Sequence, residues 1–545
     1  MSKPFRKRDV GVVFGFCLLA FGLSLSAQST LGSIDFPTSG AKAAQPAFIR
    51  GVLLLHSFEY DDAKEAFVEA QKLDPGFAMA YWGEAMTYNH PLWAQTVPAQ
   101  ANAALAKLAP TLKERLAKAP TEKEKLWLAS LELLYGPGDK ATRDAAYAAA
   151  LGDMHAGFPN DLEVTAFYAL AVLGSSGANR DYAIYMKAAA LAEEVYAKNP
   201  KHPGAVHYLI HAYDDPMHAP LGLRYANLYG QIAPDASHAL HMPTHIYFAM
   251  GMWDEAAAMN ERSAKAADDR ITAKKLTVDE RGYHALQWLT YTYLQQGRYN
   301  DARKLIEQFE GDVAKSPTAR PRGTVALTRA AWLVETRRWS DAKPRLASGL
   351  GGDAAAADLF AIGMAAAKTG NVAGAKEARQ QMNPSAAPTG GYATQPMAGM
   401  PGMGMSSPAT GTGPRPAGVM AAQLDALIAA AEGKKDDAIA LAQKAAGMED
   451  AISFDFGPPM PIKPSHELLG EMLLDADRFA DAQKEFAATL KRTPGRTLSL
   501  IGLYRAATQA NDLTSASRAW QQLHGNYRRA DPGVLEVKDL RFFIK

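Results

Sequence analysis

The chain has 545 residues, of which 48% are hydrophobic, with 58 basic residues set against 57 acidic ones. Such a length exceeds one compact core and suits several domains or one long solenoid. Balanced charge, with no long basic run and no basic stripe rich in aromatics, excludes nucleic acid and anionic membrane surfaces as expected partners.

Lys3, Arg6, Lys7 and Arg8 precede an apolar run from Val10 to about Leu25, and small residues follow at Ser24, Ser26 and Ala27. This is the pattern of a secretory signal peptide over residues 1–27, cleaved near Ala27, and it predicts a periplasmic or secreted protein. The run of roughly 16 residues falls short of the ~20 that cross a bilayer, so no membrane span is expected after cleavage. Cys17, the only cysteine, lies inside this run behind Phe16, where lipoprotein processing needs a small residue. The mature chain is therefore expected to be thiol-free and unlipidated, which excludes disulfides, zinc–thiolate sites and cysteine nucleophiles.

Beyond a short linker, 28–43, the segment FIRGVLLLHSFEYDDAKEAFVEAQKLDP places Gly51, Ala63, Phe67, Ala70 and Pro75 at positions 8, 20, 24, 27 and 32 of a unit about 34 residues long. This closely resembles the tetratricopeptide pattern. Small side chains at 8 and 20 let the two helices of a unit approach, an aromatic at 24 fills the space between units, and proline at 32 ends the second helix. Tyr81, Ala85 and Tyr88 continue the register, and Pro200 and Pro234 close two later units. From Pro98 to Asn160 the chain reads as helical but out of phase, punctuated by Pro110, Pro120, Pro137 and Pro159.

Gly251, Trp253 and Ala256 take the turn positions of the next unit, and Gly297, Tyr299 and Ala302 repeat them after an insertion over about 265–281. Degenerate units follow at Trp339 with Ala342, at Gly363 with Gly370 and Ala375, and at Ala426 with Gly433 and Ala438. Gly470, Ala482, Phe486 and Pro494 mark a further good unit, and Ala516 with Trp520 a last one. About ten to twelve helix pairs are expected. Pro384 to Gly418, dense in Pro, Gly, Ala, Ser and Thr, reads as a flexible linker between an amino-terminal array (44–383) and a carboxy-terminal one (419–530), with a tail over 531–545. Met397, Met400, Met403 and Met405 within it are soft ligands suited to cuprous ion, set against the simpler reading of a methionine-bearing spacer.

His207 and His211 recur one unit later as His241 and His245. Both pairs fall at positions 5 and 9 of a first helix, the helix expected to line the concave face. An i, i+4 pair puts two imidazoles on one helix face, and packed helices lie ~8–10 Å apart, so four rings are expected to converge on one ion. Possible additional groove residues are His238 and His284 at position 2, Asp214 and Asp215 at positions 12 and 13, and His56 and His90, themselves 34 apart, at position 13 of the first two units. A histidine-rich set with carboxylates suits a transition metal such as zinc, copper, iron or nickel rather than calcium or magnesium. Asp214, Asp215, Tyr208 and Tyr247 are candidates to orient the rings. The competing readings are histidines hydrogen-bonded among themselves in a polar groove, and direct recognition of a peptide or carboxylate. Trp93, Tyr208, Tyr247 and Trp288 either contact such a segment or pack between helices.

The motif HExxH is absent, since His466 and Glu467 lack a second histidine, and GxSxG, GxxxxGK[ST] and GxGxxG after a strand find no support. Enzymatic action is open only through the groove histidines, as a metal-dependent hydrolase or oxidase in which Asp214 or a spare histidine accepts the proton.

The segments FPTSGAKAAQPAFIRGVLLLHSFEYDDA, AMAYWGEAMTYNHPLW, HYLIHAYDDP, HALHMPTHIYFAMGMWDEA and KPSHELLGEML resemble recurring blocks of an exported bacterial tetratricopeptide-repeat group over the whole mature chain. That resemblance implies an all-α fold, a right-handed superhelix, with a ligand or a protein or peptide partner in its concave groove. It transfers no reaction. The chain is thus expected to be an exported binding or scaffold protein with a histidine-rich metal site; a metal enzyme and a metal-free scaffold are the alternatives.

Overall fold

The computed structural model describes residues 1, 30–176, 180–346, 350, 352–383, 414–454 and 456–534. The expected signal peptide, the methionine cluster and most of the 384–418 linker and the tail lie outside these. Among the described residues, eleven helix hairpins run from Gln45–His56 with Tyr60–Leu73 to Thr497–Gln509 with Leu513–Asn526, an all-α solenoid of tetratricopeptide type. A right-handed superhelix is consistent with these hairpins. No described helix is long and apolar enough to cross a membrane.

The hairpins close for the steric reason read from the sequence. A Cβ on Gly51 would stand 2.7 Å from the Phe67 ring and one on Gly83 would stand 2.3 Å from it, so the aromatic fills the gap only because both neighbours are glycine. Phe486 repeats the arrangement between Gly470 and Gly502, at 3.0 and 2.3 Å.

Three stretches depart from the plain repeat. The insertion near 265–281 is mostly a continuation of one helix, Trp253–Lys274, whose last turns carry Arg270 and Lys274 onto Asp62 of the first unit, at 2.7 Å each. The Trp339 unit has no second helix: a short turn, Trp339–Asp341, follows Ala319–Thr336. Between Ala78–Met86 and Pro98–Leu108 a two-residue antiparallel pairing, Asn89–His90 with Gln95–Thr96, interrupts the second unit.

The solenoid curls until distant units touch. The end of Gln45–His56 meets Pro203–Ala212 so closely that a Cβ on Gly204 would lie 2.4 Å from the His56 ring. The carboxy-terminal hairpins dock on the centre through Trp253 Nε1, which donates to the Gly495 carbonyl at 3.0 Å, and through buried Arg496. The hairpins on either side of the expected linker also pack together. Helix Pro416–Ala431 begins inside its expected bounds and packs on Gly352–Lys368, with Leu424 2.6 Å from where a Gly363 Cβ would be, so one core continues across it. The expected open groove is consequently filled at its middle.

Candidate metal centre

Helix Pro203–Ala212 starts with proline at its first position, where the missing N–H costs nothing, and His202 caps it by accepting from Ala205 N at 3.1 Å. Its 3.6-residue period brings His207 and His211 together, with ring centroids 4.9 Å apart. The next first helix runs Ser237–His241 and resumes at Pro243–Met250, interrupted where Pro243 has no N–H to donate. It nevertheless holds His238, His241 and His245 on one side. His284 arrives from the first turn of Tyr283–Gln295. All six are buried, His284 being the most exposed at 8%.

The four histidines expected around one ion do not form one ligand set. The structure divides them. His207 and His211 join His238, His241 and His245 join His284, and within each triad one ligand atom per residue lies within 4.8 Å of the others. His211 and His245 also meet Asp214 within that distance, which places the two triads side by side.

Hydrogen bonding distinguishes this cluster from ordinary core histidines. His245 Nδ1 lies 2.5 Å from Asp214 Oδ2, His241 Nδ1 lies 2.7 Å from Asn260 Oδ1, and His207 Nδ1 donates to the His56 carbonyl at 2.7 Å. With Nδ1 anchored on an acceptor, a neutral imidazole turns its Nε2 lone pair to the opposite side. Nε2 of His211, His241, His245 and His284 has no hydrogen-bond partner, and neither has Asp214 Oδ1. Leaving a buried polar group unpaired costs about 1–3 kcal/mol, so five such atoms in one chamber are expensive unless something binds them. Burial, and then the neighbouring imidazoles, hold His211, His238, His241 and His284 well below the usual histidine range, and burial brings His207 down to about 3. These rings are neutral at pH 7, the form that binds a metal.

His56 belongs to a different cluster. Its Nε2 and that of His202 contact the two oxygens of Glu163 at 2.8 and 3.0 Å, while its Nδ1 meets Tyr208 Oη at 2.7 Å. Burial pushes Glu163 up, but His202 and His56 outweigh it and hold the carboxyl at about 2. The three groups are also close enough to hold an ion, yet their ring nitrogens and carboxylate oxygens already have partners, and the cluster is read as structural.

The remaining expected residues lie apart from the triads. His90 Nε2 faces the Thr87 carbonyl at 3.1 Å with its ring against Tyr60, and Asp215 pairs with His218 and Arg180. Tyr208 serves His56, and Tyr247 donates to Asn227 at 2.8 Å. Trp93, Tyr208, Tyr247 and Trp288 are all buried, which settles them as packing residues. Sequence reasoning missed Asn260, His202 and Glu163. The first sits at position 24, where the repeat usually wants an aromatic, and that polar exception was the available signal.

A narrow cleft with a cavity volume of about 60 Å³ is lined by His245 and Asp214 and walled by Phe248, Trp253, Tyr291 and Phe456. Phe456 comes from the connection between Lys435–Asp450 and Ser465–Leu474 and lays its ring 4.8 Å from His245. The next residue, Gly457, has φ +95°, and a Cβ there would stand 2.4 Å from the Trp288 indole. Gly457→Ala is expected to add about 1–2 kcal/mol of backbone strain and displace Phe456 from the histidines. Faster extraction of metal by a chelator, with the bulk of the helical signal unchanged, would show this; an unchanged rate would contradict it.

No protein-family model and no curated protein sequence matches the chain. Solved structures do. The Cut9–Hcn1 hetero-tetramer of APC/C aligns with 93% of this chain and 77% of that chain at 12% identity, with a TM-score of 0.34. A monomeric IFIT1 mutant solved with m7Gppp-AAAA aligns over 87% and 95% at 13% identity and a TM-score of 0.36. Yeast Tom70 aligns over 92% and 95% at 13% identity and a TM-score of 0.27. Likeness at this level carries no functional inference, and the architecture rests on the hairpins themselves.

Proposed function

We propose that the chain is an exported repeat protein whose buried histidines bind a transition metal, with His241, His245 and His284 as the ligands, of which His245 lines the cleft. The observation that carries this reading is the set of unpartnered Nε2 atoms in one buried chamber, two of them on rings anchored from behind by Asp214 and Asn260. Zinc, copper and iron all accept such a donor set. The narrow cleft lined by His245 carries an alternative, a metal-dependent hydrolase or oxidase, only for water or a molecule of similar size at the ion. Asp214 orients His245 in this reading, and its second oxygen remains available as a proton acceptor. The outer surface of the solenoid is left to protein or peptide partners, as in a scaffold.

Protein purified without an affinity tag is expected to carry stoichiometric metal, and its removal by a chelator should lower thermal stability. At free metal ~1,000 times Kd the bound form gains about 4 kcal/mol. Asp214→Asn should weaken binding about 10–100-fold, the usual effect of losing a partner behind a metal-bound histidine. Substoichiometric metal together with melting indifferent to chelator would overturn the reading, and partners that co-purify equally well with histidine variants would then identify a metal-free scaffold.

A further inference from the structure

We propose that the chamber is a dinuclear centre, with a second ion held by His207, His211 and His238, and that it is built for two cuprous ions. This rests on the metal-binding reading of the adjacent triad and extends it to ion number, charge and identity.

Geometry limits one ion to one triad, since among the described residues no four histidines bring their ligand atoms within 4.8 Å of one another. The second triad has the spacing of ligands on a shared ion. His207 Nε2 and His238 Nε2 are 3.2 Å apart, a hydrogen bond to each other that an ion replaces once the His238 proton sits on Nδ1, and metal–nitrogen bonds of ~2.0–2.1 Å would then subtend roughly 100–105° at the ion. His207 is already committed to this role by its Nδ1, which donates to the His56 carbonyl and leaves Nε2 as the lone-pair nitrogen of the neutral ring. His211 supplies the third nitrogen with an Nε2 that has no partner.

Charge and coordination number then select the ion. Two divalent ions would bring four positive charges into a chamber where Asp214 is the one carboxylate grouped with the ligand atoms. Asp215 is already paired with Arg180 and His218, and Glu59 is occupied in accepting from Ser237 Oγ and His238 N. Burying uncompensated charge among apolar groups is costly. Two monovalent ions leave one positive charge in excess instead of three. The second triad is also closed. Phe58, Tyr229 and Trp93 stand 4.2 Å from His207, 5.3 Å from His207 and 6.3 Å from His238 by ring centroids, and none of its three histidines lines the cleft. Zinc, which is nearly always four-coordinate, would lack a fourth ligand there, whereas cuprous ion is satisfied by three imidazoles.

The test uses tag-free, metal-stripped, full-length protein titrated anaerobically with cuprous ion against a coloured chelator, and separately with zinc ion. Two equivalents of copper and one of zinc are expected, with X-ray absorption showing nitrogen-only ligation of copper. His238→Ala and His284→Ala should each lose one copper equivalent and keep the other. Uptake of a single copper by the unaltered protein would overturn the dinuclear proposal while leaving the metal reading intact. Uptake of no metal would remove both. Two equivalents of zinc held as tightly as two of copper would overturn the assignment of ion, and His238→Ala that retains both coppers would overturn the assignment of ligands. Stoichiometry of the unaltered chain decides the matter even if a variant fails to fold.

Discussion

Metal-free protein should lose stability steeply as pH falls below about 6.5, seen as a lower urea midpoint at pH 5.5 than at pH 7.5. His207, His211, His238, His241 and His284 are held neutral in the fold by burial, whereas unfolded histidine has its ordinary pKa near 6.5. The unfolded chain therefore binds more protons than the folded one below that pH, and linkage makes stability rise with pH through the interval. Each of these histidines takes up its proton only on unfolding and so lowers stability as pH falls through that value, and His90, brought down to about 4 by burial, adds to the loss. Glu59, raised to about 7 by burial, and His466, raised to about 9 by Glu485, act in the opposite sense. The histidines held neutral outnumber these two groups, so the net effect is a loss of stability on acidification. A midpoint flat between the two pH values would mean that these rings are not buried as the fold places them. Bound metal keeps its ligands unprotonated, so the loaded protein should show the same sign of pH dependence.

Arg496→Met is expected to cost about 3–5 kcal/mol, because it leaves the buried Glu335 carboxylate without its cation and Glu467 with Lys463, at 2.8 Å, in place of two cations. The Arg496 guanidinium is fully buried and reaches Glu467 at 2.7 and 2.9 Å, Glu335 at 2.7 Å and Tyr291 Oη at 2.8 Å. It follows Gly495, whose carbonyl receives Trp253 Nε1, and Pro494 and Thr493 line the cleft to His245. The substitution should thus loosen the carboxy-terminal hairpins from the centre and open the cleft before the rest of the chain unfolds. Calorimetry is expected to split into two transitions, with the earlier one unaffected by metal. Replacing Glu335 by an apolar residue as well should recover much of the loss, while Glu467 is kept because buried Lys463 pairs with it, since breaking such a network costs far more than omitting it. A single transition at the original temperature for Arg496→Met would rule this out.

These effects also explain why the site was only partly legible. The i, i+4 spacing of His207 with His211, and the 34-residue recurrence at His241 and His245, were readable because a helix and a repeat stack are both periodic. Asp214 was readable as a member of the same wall, and it does lie against His245. Asn260 was not, since its value lies in facing the first helix of its own unit from the second across the hairpin. His56 shared the phase of a groove residue, but its ring turns to Glu163, a partner 107 residues away that no repeat numbering identifies. The same numbering placed His90 in the groove, and the local two-residue strand pairing takes it out.

Local periodicity by itself determined the all-helical hairpins, their glycine and aromatic joints, and the phase that puts six histidines on neighbouring inner helices, because each depends on residues within one or two turns or one unit. Only the tertiary structure decided that these histidines form two triads in a buried interior instead of one row along an open groove. Phe58 from the first unit and Phe456 from the carboxy-terminal half close over them, at 4.2 Å from His207 and 4.8 Å from His245. Whether an imidazole meets water or an aromatic wall is set by how far the superhelix curls. That curl sums small rotations over many units and leaves no mark on any one of them.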